Sequence, residues 1–337
     1  MPTMDRRTFL TRTAIAAGTI GVASVAGERI LRLREDHPWD DAAFAPPGTA
    51  RVAVLRATSY DVGLEGVVGD GLRAIGADVR GARVVLKPNL VEFDERTAIN
   101  TDPRLVAAAV VALRRLGAAE VVVGEGPGHR RDTQFVVTSS GLLEALEAVG
   151  ARFVDLNTDD VRRVPLRSRY TTLGDLWLPR TIADADVVIS MPKMKTHHWA
   201  GLTLSLKNCF GCVPGRVYGW PKNALHWAGL EQSILDVAAA VRPDYAIVDG
   251  IVGMEGNGPI SGSPVAANVL VFGDDPVATD VISARIMGFD PEKVAYLAEA
   301  ARFLGQGDQD RIRSEGEDVA GLVTDFAVLP QFAPMKA

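Results

Sequence analysis

The sequence predicts an α/β fold: a mainly parallel, doubly wound sheet with helices on both faces. Two observations lead there. Short runs of β-branched and other apolar residues recur along the chain, and most are apolar almost throughout. A strand that is apolar on both faces must be covered on both faces, as the strands of parallel sheets are. Between these runs lie longer segments of helical pattern, and alternation of strand and helix defines the architecture.

In chain order, the first strand is expected over Arg51–Arg56, then a helix over Leu64–Ile75 and a strand over Arg83–Leu86. The next helix has the clearest start. Thr101-Asp102 supplies a capping side chain ahead of Pro103 at the first turn, and the helix runs through Leu113 to stop at Gly117. A strand over Glu120–Val123, a helix over Gly141–Val149 and strands over Arg152–Val154 and Asp186–Ile189 follow. The C-terminal part is expected to hold a helix over Leu225–Val241, strands over Tyr245–Val248 and Val269–Phe272, and helices over Pro276–Met287 and Pro291–Leu304. No linker-like composition interrupts residues 51–325, which are therefore taken as one domain, with 326–337 as a C-terminal tail.

Composition narrows the functional classes. With 47% hydrophobic and 23% charged residues in 337, the chain has material for a substantial core. A net charge of -6 argues against general attraction to nucleic acid or an anionic membrane, since both reward a basic face. Two cysteines are too few for a disulfide framework, and an iron–sulfur cluster would need ligands from a partner protein.

The N-terminus has the three parts of an export signal. Asp5-Arg6-Arg7-Thr8-Phe9-Leu10 carries the arginine pair, Ala14–Val25 is a moderately apolar stretch too short to span a bilayer, and Ser24 and Ala26 frame a small-x-small cleavage site. This predicts a twin-arginine signal over residues 1–26, a linker over 27–50, and a twin-arginine translocase as partner during export. The body would then lie outside the cytoplasmic membrane, or stay tethered to it if the signal is uncleaved.

Residues that suggest chemistry follow the predicted strands, where an open α/β sheet has its ligand crevice. Lys87 and Asn89 follow one strand, Glu125 another, and Lys193, Lys195, Thr196, His197 and His198 a third. Asp249 and the Glu255-Gly256-Asn257-Gly258-Pro259 turn follow a fourth, and Asp274-Asp275 through Asp280 a fifth. Lys195, His197 and Lys207 are the catalytic candidates: a lysine buried near another cation loses proton affinity and becomes a base, and histidine can shuttle the proton. Lys87, Asn89, Lys193, Thr196, Asn208, Gly256, Asn257 and Gly258 are expected to bind substrate. Glu125, Asp249, Glu255 and Asp280 are hard oxygen ligands suited to a divalent metal. Glycine-rich turns around Glu125 and Glu255 are equally explained as plain turns.

Cys209 and Cys212 form a Cys-x-x-Cys pair just after Lys207-Asn208. They could pair with each other or bind metal with the histidines, or they are small side chains packed beside the crevice. The aromatic run from Val217 through Trp220, Pro221, His226 and Trp227 reads as a lid or a self-packed surface loop.

The chain resembles the proteins grouped as domain-of-unknown-function family 362. The resemblance rests on Lys87-Pro88-Asn89-Leu90, Glu125-Gly126, Met191-Pro192-Lys193-Met194-Lys195-Thr196-His197, Ser205-Leu206-Lys207-Asn208, Asp249-Gly250-Ile251, Met254 to Pro259 and Gly273 to Ala278 with Asp280. Some members carry ferredoxin-type modules that this chain lacks, so the resemblance implies redox company without a reaction. Three readings result: an enzyme acting on a small anionic substrate by Lys/His acid–base chemistry, with or without a metal; a redox accessory protein with a redox partner; and a non-catalytic binder of an anionic ligand.

Overall fold

The computed structural model describes residues 37–128 and 132–337. Asp40–Ala337 form one compact unit. The expected signal at 1–26 and the linker up to residue 36 lie outside the described residues. No helix among the described residues is long and apolar enough to cross a membrane.

Among the described residues thirteen strands form, in chain order: β1 (Ala50–Arg56), β2 (Arg83–Pro88), β3 (Glu120–Glu125), β4 (Arg152–Asp155), β5 (Val161–Val164), β6 (Leu176–Pro179), β7 (Val187–Met191), β8 (Lys193–His197), β9 (Gly201–Thr203), β10 (Tyr245–Glu255), β11 (Ser263–Val265), β12 (Val269–Gly273) and β13 (Ile312–Gly316). The main sheet has the order β13-β1-β12-β10-β7-β2-β3-β4, and β5 pairs with β6 in a separate ribbon. From β10 outward to β4 every pairing is parallel, with Leu86 opposite Ile189 and Val85 opposite Val122. β12 alone on this path is reversed, antiparallel to both β1 and β10. The expected mainly parallel sheet is present, and all seven predicted strands are found within two residues of their predicted starts.

Helices cover both faces. The Leu64–Ala74 and Pro103–Arg115 helices pack on each other and bury Leu72, Leu105 and Val106 against Ala53, Leu86, Ile247, Leu270 and Phe272. Asp102 caps the second of them, accepting from Arg104 N ahead of Pro103, as its sequence implies. The Pro276–Ile286 helix lies against β1, β10 and β12, and it packs with the Ala295–Phe303 helix.

Three expectations are corrected here. Because β12 is reversed, its C-terminal end lies beside the start of β1, where Asp274 pairs with Arg51. Asp274 and Asp275 therefore belong to the edge opposite the one served by β2, β3 and β7. The helix expected over Leu225–Val241 is two helices, Asn223–Trp227 and Leu230–Val241, separated at Gly229 with φ near +99°. The body also extends past both expected limits: Ala50 and Phe44 are buried, Phe326 is 1% exposed, and Lys336 donates to the carbonyls of Met287 and Phe326.

Candidate functional site

The lysine-rich segment after β7 is itself a strand. Pro192 has no N–H and interrupts the ladder, and the chain resumes as β8, fully buried alongside the long β10. Gly258 is a close-approach position here, since a Cβ would sit 2.1 Å from the Thr196 carbonyl oxygen. Thr196 donates to Gly256 O at 2.9 Å, and His198 N donates to Gly258 O at 2.8 Å. Thr196, Gly256 and Gly258, expected to bind substrate, thus hold β8 in place, and neither they nor the exposed Asn257 line the cavity beside it.

That cavity has a volume of about 490 Å³ and opens at the ends of β2, β3 and β8. Its walls include Asn89, Glu125, Lys195, His197, Lys207 and Asn208 among the expected residues. Lys87 lies directly beneath. Its ammonium pairs with Glu125 and donates to Pro88 O and Asn208 Oδ1, both at 3.0 Å, with Lys87 and Glu125 each 1% exposed. Asn208 closes the network by donating to Lys87 O and Ser190 Oγ. Gly211 is required at this point: a Cβ there would fall 1.8 Å from Glu125 Oε1.

Three lysines reach the cavity without a carboxylate of their own. Lys195, fully buried, donates to Ile99 O at 2.7 Å and Pro259 O at 3.4 Å. Burial first, then Lys193 and Lys207, push its pKa well below the ordinary lysine value. Lys207, half-buried at the wall, lies 3.8 Å over the Phe210 ring, and among the described residues its ammonium meets no hydrogen-bond acceptor. Burial, with Lys222 and Lys87 nearby, lowers its pKa to about 7. Lys222, 3% exposed and in a left-handed conformation at φ 64°, donates to the carbonyls of Gly126 and Phe210, and burial lowers its pKa to about 8. Sequence reasoning missed Lys222. It sits alone in the aromatic run after Tyr218, where no charge pattern marks it.

The histidines are fixed by their partners. His197 Nδ1 accepts from Trp199 N at 3.0 Å and Ala200 N at 3.1 Å, so the ring proton is on Nε2. Burial and Lys207 hold its pKa well below the usual value, and His197 stays neutral. It can donate from Nε2. His198 Nδ1 donates to Gly258 O at 2.7 Å, which leaves Nε2 as an acceptor. His198, Trp199, His226 and Trp227 all line the cavity, so the aromatic run does contribute to its wall.

Other expected site residues are engaged elsewhere. Lys193 pairs with Asp249 at 2.6 Å and with the Tyr60 hydroxyl at 2.9 Å, outside the cavity lining. Asp280 accepts from Ser205 N at 2.7 Å and Leu206 N at 3.0 Å, tying down the short Ser205–Asn208 helix that carries Lys207. Glu255 accepts from Ala327 N. Since Glu125 is bound to Lys87, the four carboxylates expected as metal ligands do not converge, and no set of three His, Cys, Asp or Glu suited to a metal forms among the described residues. Cys209 and Cys212 are buried free thiols, with pKa raised by burial, to about 12 for Cys212. A protonated, enclosed thiol is a poor nucleophile and a poor ligand. The packing reading is the one their surroundings fit.

Fold and cavity together describe an α/β protein with a lysine-lined cavity at the carboxyl edge of a largely parallel sheet. The chain belongs to the family described as Domain of unknown function (DUF362), whose model matches residues 84–285 and hence every residue lining the cavity. It is 33% identical over 241 residues to a thylakoid-associated protein of Synechocystis sp., covering 66% of this chain and 70% of that one. Among solved structures, the lactate racemase apoprotein of Thermoanaerobacterium thermosaccharolyticum matches with a TM-score of 0.47 at 12% identity, covering 72% of this chain. A Thermotoga maritima protein matches with a TM-score of 0.33 at 10% identity, covering 65%. The chain spans 57% and 56% of those two proteins.

Proposed function

We propose that this chain is an enzyme that binds a small phosphate- or carboxylate-bearing substrate in the cavity and moves a proton with a lysine amine. The observation that carries this reading is Lys207: an ammonium at the cavity wall with no acceptor among the described residues, and a pKa of about 7. A base with that pKa is divided between its two forms near neutrality, as general acid–base catalysis requires. Lys222 and the Nε2–H of His197 supply donors for the anionic group. Lys195, whose pKa burial holds well below the ordinary lysine value, directs N–H groups at Ile99 O and Pro259 O. Buried cations without counter-charges are costly, and an anion offsets that cost.

Affinity for inorganic phosphate tests the binding half. Between about pH 6.5 and about pH 9.5 Lys207 and Lys222 lose their protons, so affinity is expected to fall by at least about tenfold, read by calorimetry. Binding that strengthens over that range would contradict the reading.

We infer further that the chain is exported by the twin-arginine route. Support comes from Arg6-Arg7 ahead of the short apolar stretch Ala14–Val25 and the small residues Ser24 and Ala26. Replacing both arginines by lysine is expected to retain the protein in the cytoplasm on cell fractionation. Undiminished export of that variant would overturn the inference.

A further inference from the structure

The cavity is larger than an inorganic anion needs, and its lining combines lysines with aromatic rings. A volume of about 490 Å³ lies within the roughly 300–1,000 Å³ that encloses organic ligands of many atoms. Lys207 and Lys222 line the cavity, and so do Trp199, 62% exposed, and Trp227, 82% exposed. Trp199 is held by edge contacts to His198, with centroids 4.5 Å apart, and to His226, 5.5 Å apart. Trp227 has no ring partner among the described residues.

A second feature points to a ligand. Asn89 and Thr203 both line the cavity, are 7% and 4% exposed, and each carries a buried side-chain oxygen without a hydrogen-bond partner among the described residues. Such oxygens are costly to leave unpaired, and hydroxyl or amino substituents on a ligand would satisfy them, which the unsubstituted ring of a simple aryl anion does not.

We propose that the ligand of this cavity is an aryl anion, with its phosphate or carboxylate on Lys207 and Lys222 and its aromatic ring against Trp199 and Trp227. The proposal rests on the anion site proposed above and adds the class of molecule that fills it. An aromatic ring gains from indole in two ways: it covers apolar surface, and offset or edge-on ring pairs attract beyond the area they bury. A bare phosphate or an aliphatic hydroxy acid would leave both indoles in water.

Full-length protein titrated with inorganic phosphate and with phenyl phosphate separates the two claims. Phenyl phosphate is expected to bind about tenfold or more tightly than inorganic phosphate, with a change in tryptophan fluorescence. Trp227→Ala and Trp199→Ala are expected to collapse that ratio toward one. Equal affinity for the two probes in the wild-type protein would overturn the aryl assignment and leave the anion site standing. A preference that survives both alanine variants would overturn the role of the indoles. Failure of both probes to bind would remove the anion site as well.

Discussion

Replacing Lys87 by methionine is expected to destabilise the fold by about 3–5 kcal/mol, the usual cost of stranding one partner of a buried ion pair. Lys87 and Glu125 are each 1% exposed, so little water is available to solvate the survivor. Methionine fills much of the lysine volume, so the loss is electrostatic more than steric. Glu125 then keeps the Gly126 N–H, which donates to it at 2.9 Å, but no cation bonded to it. Glu125→Gln should cost a comparable amount by leaving the Lys87 ammonium with neutral acceptors only. Together the two substitutions should cost less than the sum, by about 1–3 kcal/mol, as expected for coupled neighbours. Urea unfolding midpoints of the four proteins check this. Strict additivity would mean that the pair is not coupled as the distances imply.

Lys207→Met is expected to weaken phosphate binding by about 30-fold or more, the effect of deleting a buried charge partner of an anion. Unlike Lys87→Met, it should not destabilise the empty protein, because no carboxylate is left unpaired. The pH dependence gives an independent sign. Lys207 has a folded pKa of about 7 against a reference of 10.5, so between these values the unfolded chain holds a proton that the folded chain has shed. Stability contributed by this group therefore rises with pH across that window, and below about pH 7 its penalty is present in full. In the methionine variant that rise should be missing. A variant with unchanged anion affinity, or with the same pH slope as the parent, would remove Lys207 from the site.

Much of this arrangement is legible in the amino-acid sequence, and the remainder is hidden for identifiable reasons. β2, β3, β7 and β10 announce themselves as apolar runs, and polar residues at their ends mark the crevice. Direction is another matter. The run Val269–Phe272 reads the same whichever way the strand points, so the reversal of β12, and with it the removal of Asp274 and Asp275 from the site edge, is invisible in sequence. Pairing is hidden as well. Lys87 and Glu125 are 38 residues apart, and Lys193 and Asp249 are 56 apart. Sequence shows the charges but not which lysine neutralises which carboxylate. Four acidic residues therefore read as metal ligands, whereas Glu125 and Asp249 each neutralise a lysine, Asp280 accepts from the backbone of the helix that carries Lys207, and Glu255 fastens the C-terminal segment. Lys222 is the converse case: one lysine in an aromatic run becomes a cavity residue only because the fold carries that run over Gly126 and Phe210.

The most direct test of the cavity's role is the number of protons taken up when phenyl phosphate binds at about pH 8, measured by calorimetry in buffers of different ionisation enthalpy. An anion settling among lysines of lowered pKa draws protons onto them. Net uptake is therefore expected in the wild-type protein, and a smaller uptake in Lys207→Met. Binding without proton uptake, or uptake unchanged by Lys207→Met, would contradict an anion site built on lysines poised near neutrality.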